Sequence, residues 1–255
     1  MLEEPIIDLK TKVGFIIPST TKGKIVNSVE DLFFVKYTFN TFIQTLKKSE
    51  HFDCVFYVGY DYDDNFYSVE DNRSKLIEFL YAKYPLTTLN VNVKLLEFPR
   101  DIPKGYLTKM WNFLYDQAYE ENCNYFYQCG DDIKFRTMGW LYDSIQTLKK
   151  NNDVGISGPV NDGNVILTQA MFSRKHKEIF GYFLEYETIK NWYLDDWYNL
   201  IYSPNHVNIN LNHLCSNMVQ NEVNENTYTV SNVNNKEFAE VIKRDKEKIN
   251  IYLNR

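Results

Sequence analysis

Asn124 to Phe135 reads NYFYQCGDDIKF, a short apolar and aromatic run that stops at two adjacent carboxylates, Asp131 and Asp132. A run ended in this way predicts a buried strand that delivers two acids to one edge of a sheet. Like charges about 4 Å apart repel by roughly 4 kcal/mol at an effective dielectric near 20, so the pair needs a cation, a shared proton or open water. A divalent ion is the most productive answer. Hard oxygen ligands at a strand end suit Mn²⁺ or Mg²⁺, and such an ion can in turn hold a diphosphate. A solvated Gly-Asp-Asp turn is the plainer alternative.

The flanking chain gives that strand its neighbours. Val13–Ile17 is a continuous apolar run closed by Pro18, Ser19, Thr20 and Thr21, and Val55–Gly59 is a second that ends in the acidic loop Asp61, Asp63 and Asp64. Between them Leu32, Val35, Phe39, Phe42, Ile43 and Leu46 recur at helical spacing, with Lys47 and Lys48 placed to complement the helix dipole. Ser74–Tyr84 is another helical segment, stopped by Pro85. Val91–Phe98 is a third strand, followed by a helix whose apolar face is Leu107, Met110, Trp111, Leu114 and Ala118. After the Asp-Asp strand, Trp140, Leu141, Ile145 and Leu148 predict a helix and Val154–Ser157 a strand. This alternation predicts an α/β fold: a mostly parallel central sheet with helices on both faces.

Beyond Pro159 the pattern becomes a smaller mixed part. It contains a strand at Val165–Thr168, helices at Lys175–Leu184 and Tyr193–Ile201, and a polar loop or edge hairpin over Asn217–Asn235. A charged helix at Glu237–Leu253 closes the chain. The expected organisation is a domain over residues 1–215 with a loop and helix, 216–255, packed on it.

Composition narrows the function. The 255 residues are 44% hydrophobic and 16% aromatic, enough for one sizeable core, and the formal net charge of -6 argues against a general nucleic-acid binder. Cys54, Cys123, Cys129 and Cys215 lack CxxC spacing and read as reduced structural thiols. MLEEPIIDLKTK is acidic and lacks an apolar core, so no secretory signal is expected, and no segment is long and apolar enough to span a bilayer. A cytoplasmic location follows by default, the host cytoplasm if the chain is viral.

In open parallel sheets ligands gather outside the carboxyl ends of the strands. Ser19, Thr20, Asp61, Asp131 and Asp132 should therefore share one rim. Lys109 and Asn112 lie three apart on a helix, off its apolar face, where they reach towards a nucleotide or stand as ordinary exposed side chains. Trp192–Tyr198, WYLDDWY, encloses a second acid pair, Asp195 and Asp196, between large aromatic residues. A carboxylate in such surroundings can act as a general base, or serve only as a favourable charge at a helix start.

The order PSTT, YFYQCGDD, GPVNDGNVILTQAMFSRKHKEIFGYF and NWYLDDWY resembles GT-A fold glycosyltransferases, in particular protist, algal and large-virus members, over roughly Val13 to His213. The resemblance implies a GT-A-like, Rossmann-like catalytic domain. It also implies a metal-dependent hexosyl- or pentosyltransferase that moves a sugar from a nucleotide-sugar donor, UDP-linked by family habit, to a hydroxyl of a glycan or other acceptor. Pro18, Ser19 and Thr20 match the first loop at the nucleotide, Asp61 the acid at base or ribose, and Lys109 and Asn112 the donor-lining helix. Asp131 and Asp132 match the end of the DxD metal motif, which binds Mn²⁺ or Mg²⁺ between the donor phosphates. Gly130 stands where the first acid is expected, which leaves the sharing of metal contacts between the two aspartates open. Asp196 matches the acid that deprotonates the acceptor in inverting members, with Asp195 second. His213 resembles the late metal-binding histidine, His206 competes for that place, and His176 reads as structural or as part of an acceptor loop.

Two other classes fit less well. A sugar nucleotidyltransferase would be expected to carry a Gly-rich basic loop after the first strand, where PSTTKGK offers only Gly23 with Lys22 and Lys24. A non-catalytic carbohydrate-binding protein would suit the aromatic content but gives no reason for two acid pairs.

Overall fold

The computed structural model describes residues 11–47, 52–161, 163, 165–218 and 229–254. The readings made for residues 1–10, Lys48, Asp162, Asn164 and Tyr228 fall outside these residues. The described residues open with β1 (Lys12–Pro18), a short 3₁₀ turn (Val29–Asp31) and a π-wound segment (Phe34–Phe39) that runs into α1 (Asn40–Thr45). It continues through β2 (Asp53–Tyr60), α2 (Glu70–Lys83), α3 (Leu86–Leu89), β3 (Val91–Glu97), α4 (Leu107–Glu120) and β4 (Tyr125–Gln128). The remaining elements are β5 (Ile133–Phe135), α5 (Trp140–Lys150), β6 (Ile156–Asn161), β7 (Ala170–Ser173), α6 (Lys175–Phe180), α7 (Leu194–Tyr202), β8 (Val207–Asn217) and α8 (Asn235–Leu253).

One eight-stranded sheet has the order β3-β2-β1-β4-β7-β6-β8-β5. It is mixed, not mostly parallel as the alternation of elements predicts. β3, β2, β1 and β4 are parallel neighbours, and β6 and β8 pair in parallel further on. β4–β7, β6–β7 and β5–β8 are antiparallel. The expected strand at Val165–Thr168 lies five residues further on as β7, whose residues are all buried, while Val165 is 89% exposed. The expected helix from Lys175 stops at Phe180, because Gly181 takes a left-handed conformation there (φ 81°).

Apolar residues alternate along β1 and supply both faces. Val13, Phe15 and Ile17 join a core with Phe34, Phe39, Phe42, Leu76 and Trp140, whereas Ile16 joins Trp111, Leu114, Tyr198 and Val241 on the other side. Gly14 keeps the second face close: a Cβ there would lie 3.0 Å from Ala118 Cβ, so α4 approaches β1 more nearly than a larger residue would allow. All four cysteines are buried thiols. Among the described residues no helix is long and apolar enough to cross a membrane.

Candidate functional site

The loops that leave β1, β2 and β4 at their carboxyl ends open onto one cavity of about 650 Å³. Pro18, Ser19 and Thr20 line it after β1, Asp61 after β2, and Gly130, Asp131 and Asp132 after β4. α4 contributes Leu107, Met110 and Trp111, the apolar side of the helix. Thr168 and Gln169, entering β7, and Asn217, ending β8, stand across from them in the chain. Lys22, Lys24, Lys104 and Lys190 complete the charged lining, so four lysines face three aspartates.

The Gly-Asp-Asp turn is held from outside the strand that leads to it. Thr38, in the π-wound segment, accepts the Ile133 N–H at 3.0 Å and donates to the Gly130 carbonyl at 3.3 Å. Thr41 accepts the Phe135 N–H at 3.0 Å, and Met218 N–H donates to the Asp132 carbonyl at 3.0 Å. Gly130 leaves the Asp132 carboxylate room to lie over the turn. A Cβ at that position would lie 2.6 Å from Asp132 Oδ1, so the Asp132 carboxylate folds over the place an aspartate side chain would leave by. Thr38→Val keeps the shape but leaves a buried N–H without its acceptor, and is expected to cost about 1–3 kcal/mol in a urea titration. Unchanged stability would show that the turn holds without this anchor.

Asp131 is 8% exposed and already engaged. Its Oδ2 accepts from Ser19 Oγ at 2.8 Å and pairs with Lys24 Nζ at 2.8 Å. Ser19 Oγ also lies 3.0 Å from the Tyr67 hydroxyl, which burial holds protonated far beyond the ordinary phenol range. Asp64 is a buried knot, not a free ligand: it accepts from Thr20 and Thr21 and from the N–H groups of Phe66 and Tyr67. It thereby ties the β1 loop to the β2 loop. Burial raises the Asp61 carboxyl above its usual range, Lys104 opposes the shift, and the charges of Asp63 and Asp64 add to it. Lys104 is itself bonded to Asp63.

The other expected site residues lie off the cavity wall. Lys109 stands over the Tyr106 ring at 4.8 Å. Asn112 donates to the Thr108 and Leu184 carbonyls and accepts from Phe183 N–H, so its amide fastens α4 to the 183–184 segment. Asp195 and Asp196 form the first turn of α7, half-buried, and Asp195 Oδ1 accepts the Asp196 N–H at 3.1 Å. Burial, then the charge of Asp196, raises the Asp195 carboxyl. Lys190 and Asn191, just before this turn, do line the cavity.

The metal set expected from His213, Asp131 and Asp132 does not assemble. His213 bonds Asp143 Oδ2 at 2.7 Å through Nε2 and Thr137 Oγ1 at 3.1 Å through Nδ1, which occupies both ring nitrogens. His206 precedes β8, at the end opposite Asn217. Among the described residues no three His, Cys, Asp or Glu side chains are grouped to hold a metal ion. His176 is buried among Phe172, Phe180 and Trp197, and Nε2–H donates to the Phe183 carbonyl at 2.6 Å while Nδ1 accepts from the Tyr202 hydroxyl at 2.8 Å. Burial lowers its pKa to about 4, which fixes it as a neutral, structural ring.

Lys104, Lys190, Gln128 and Gln169 line the cavity without having been expected there. PKG after β3 was a turn signal, and Gln128 sits in the β4 run itself. Nothing local marks Lys190.

The fold and cavity together define an α/β protein with a mixed sheet whose anionic and cationic groups meet at the carboxyl edge of its parallel half. No protein-family model and no curated protein matches the chain. Among solved structures, residues 1–349 of TarS from S. aureus in complex with UDP-GlcNAc superpose with a TM-score of 0.53 at 13% identity, over 93% of this chain and 66% of that one. The UDP complex of the same protein gives 0.48 at 14%, over 93% and 65%. The chain thus spans just under two thirds of the length of the TarS structures it matches, and at this identity the likeness is one of fold.

Proposed function

We propose that this chain is a GT-A-type glycosyltransferase that takes a nucleotide-sugar donor, a UDP-sugar first, and transfers the sugar to an acceptor hydroxyl with inversion. One observation carries the reading: Ser19, Thr20, Asp61, Asp131 and Asp132, from three separate loops, line one cavity with four lysines. The TarS structure of similar fold is a complex with UDP-GlcNAc, which makes UDP the nucleotide to try first.

In this reading the lysines meet the charge that grows on the diphosphate as its bond to the anomeric carbon breaks. Trp111 and Met110 offer an apolar wall to the base or sugar. The acceptor oxygen attacks the opposite face of the anomeric carbon; an acceptor that extends from the cavity past Lys190 and Asn191 to the first turn of α7 gives its proton to Asp196, with Asp195 the alternative base. Mn²⁺ or Mg²⁺ at the diphosphate would compete with Lys24 for Asp131 and with Asp143 for His213.

A thermal-shift panel tests the reading. A ligand at a hundred times its Kd stabilises the native state by about 2.7 kcal/mol, which for a chain of this size is roughly 5–10 °C in Tm. A UDP-sugar is expected to give such a shift, and the free sugar none. If no nucleotide sugar shifts Tm, the reading fails. Release of pyrophosphate from a nucleoside triphosphate and a sugar phosphate would replace it with nucleotidyl transfer.

A further inference from the structure

The Lys24 ammonium stands as the counter-ion of one acid of the pair, Asp131. It lies 2.8 Å from Asp131 Oδ2, its side chain is 3% exposed, and the Phe33 ring takes its other side at 4.2 Å. Ser19 Oγ donates to the same carboxylate oxygen at 2.8 Å, so Asp131 is neutralised and hydrogen-bonded within the protein. Both Lys24 and Asp131 still line the cavity. An ammonium has three N–H donors, so one given to Asp131 leaves others for a phosphate oxygen.

We propose that Lys24 is the built-in cation of this site: it neutralises Asp131 in the free protein and, once donor arrives, bridges that carboxylate to the diphosphate in place of a divalent ion. The inference rests on the donor-site reading above. It accounts for a counter-ion at Asp131 without a third metal ligand, and for a lysine side chain buried on the loop that follows β1. A lysine held between a carboxylate and an aromatic face is positioned before the ligand enters, so little ordering is left to be done on binding.

Calorimetric titration of UDP and of inorganic pyrophosphate into the full chain, in EDTA and then in Mn²⁺, tests it. UDP is expected to bind in EDTA, with Mn²⁺ changing its affinity by no more than about threefold, since the cation is already in place. Lys24→Met is expected to weaken UDP and pyrophosphate in EDTA by about 10- to 100-fold, the worth of a hydrogen bond to a charged group. Lys24→Met leaves Asp131 buried without its partner, so Lys24→Met with Asp131→Asn, which removes both charges, serves as the second variant and should show the same loss. UDP binding that requires Mn²⁺ in the wild-type protein overturns the role of Lys24 but leaves the nucleotide reading standing. So does wild-type affinity of the double variant in EDTA. If neither UDP nor pyrophosphate binds under any condition, both readings are overturned together.

Discussion

Asp196→Asn is expected to lower turnover by roughly 10²- to 10⁴-fold while UDP affinity stays within about twofold. An amide keeps the size of the side chain but cannot accept the acceptor's proton at neutral pH. Donor binding should survive because Asp196 sits in the first turn of α7, beyond Lys190 and Asn191, and off the wall where the four lysines stand. The same substitution carries an electrostatic signature. Burial and then the charge of Asp196 raise the Asp195 carboxyl, so removing that neighbouring charge eases its ionisation and should move its titration to lower pH. A carboxyl-resolved NMR titration reads this shift, and single-turnover kinetics reads the chemical step. A larger loss from Asp195→Asn than from Asp196→Asn would exchange the two roles. Equal loss of UDP affinity in calorimetry would show that Asp196 holds the donor instead.

The second large effect lies outside the cavity lining. Asp245 on α8 is fully buried and accepts from Tyr182 at 2.9 Å and Trp197 Nε1 at 3.0 Å, with Arg244 and Lys248 as its ion-pair partners at 2.9 and 3.0 Å. Trp197 belongs to α7, so this carboxylate pins the acid-bearing helix to α8. Asp245→Ala is expected to cost about 3–5 kcal/mol, because the indole N–H and two cations lose their acceptor together. Differential scanning calorimetry should show a fall in Tm of roughly 10 °C or more. Burial alone would raise the Asp245 carboxyl, but donations from Arg244, Lys248, Trp197 and Tyr182 outweigh it and leave the group below its ordinary range. A depressed folded value means that its stabilisation is present above the unfolded value near pH 4 and fades as pH falls through the folded one. The variant should therefore lose less stability than wild type between about pH 4 and pH 2. An unchanged Tm would show that α8 docks through Val241 and Ile249 alone.

What the sequence reveals is local, and what it hides is pairing. β1, β2 and β4 stand out because each is a short run of mostly buried residues, β3 because Val91, Val93 and Leu95 alternate with polar neighbours, and the acids after β1's neighbours β2 and β4 follow from the direction of the strands. The polar alternation of Val207, Asn208, Ile209, Asn210, Leu211 and Asn212 is a period-two pattern, yet its asparagines make it resemble a loop; in the sheet it is β8, on whose far end the Asp pair's own turn closes. The antiparallel turn of the sheet had no cue at all, since β7 is apolar on both faces whichever way it runs. Thr38 contacts residues more than ninety positions away, and Asn112 more than seventy, so neither role can be read from neighbours in the chain. Lys24 and Asp131 are 107 positions apart.

β4 is where the parallel half of the sheet ends and β7 begins to run the other way, with Gln128 opposite Ala170. That reversal sets the entrance to β7 beside the exit from β4. Two parts of the cavity wall, the aspartate turn after β4 and Thr168 with Gln169 before β7, are consequently brought together from separate stretches of polypeptide. Evolution can therefore remodel the second stretch to suit a different incoming molecule without retuning the first, a modularity that comes from strand direction alone.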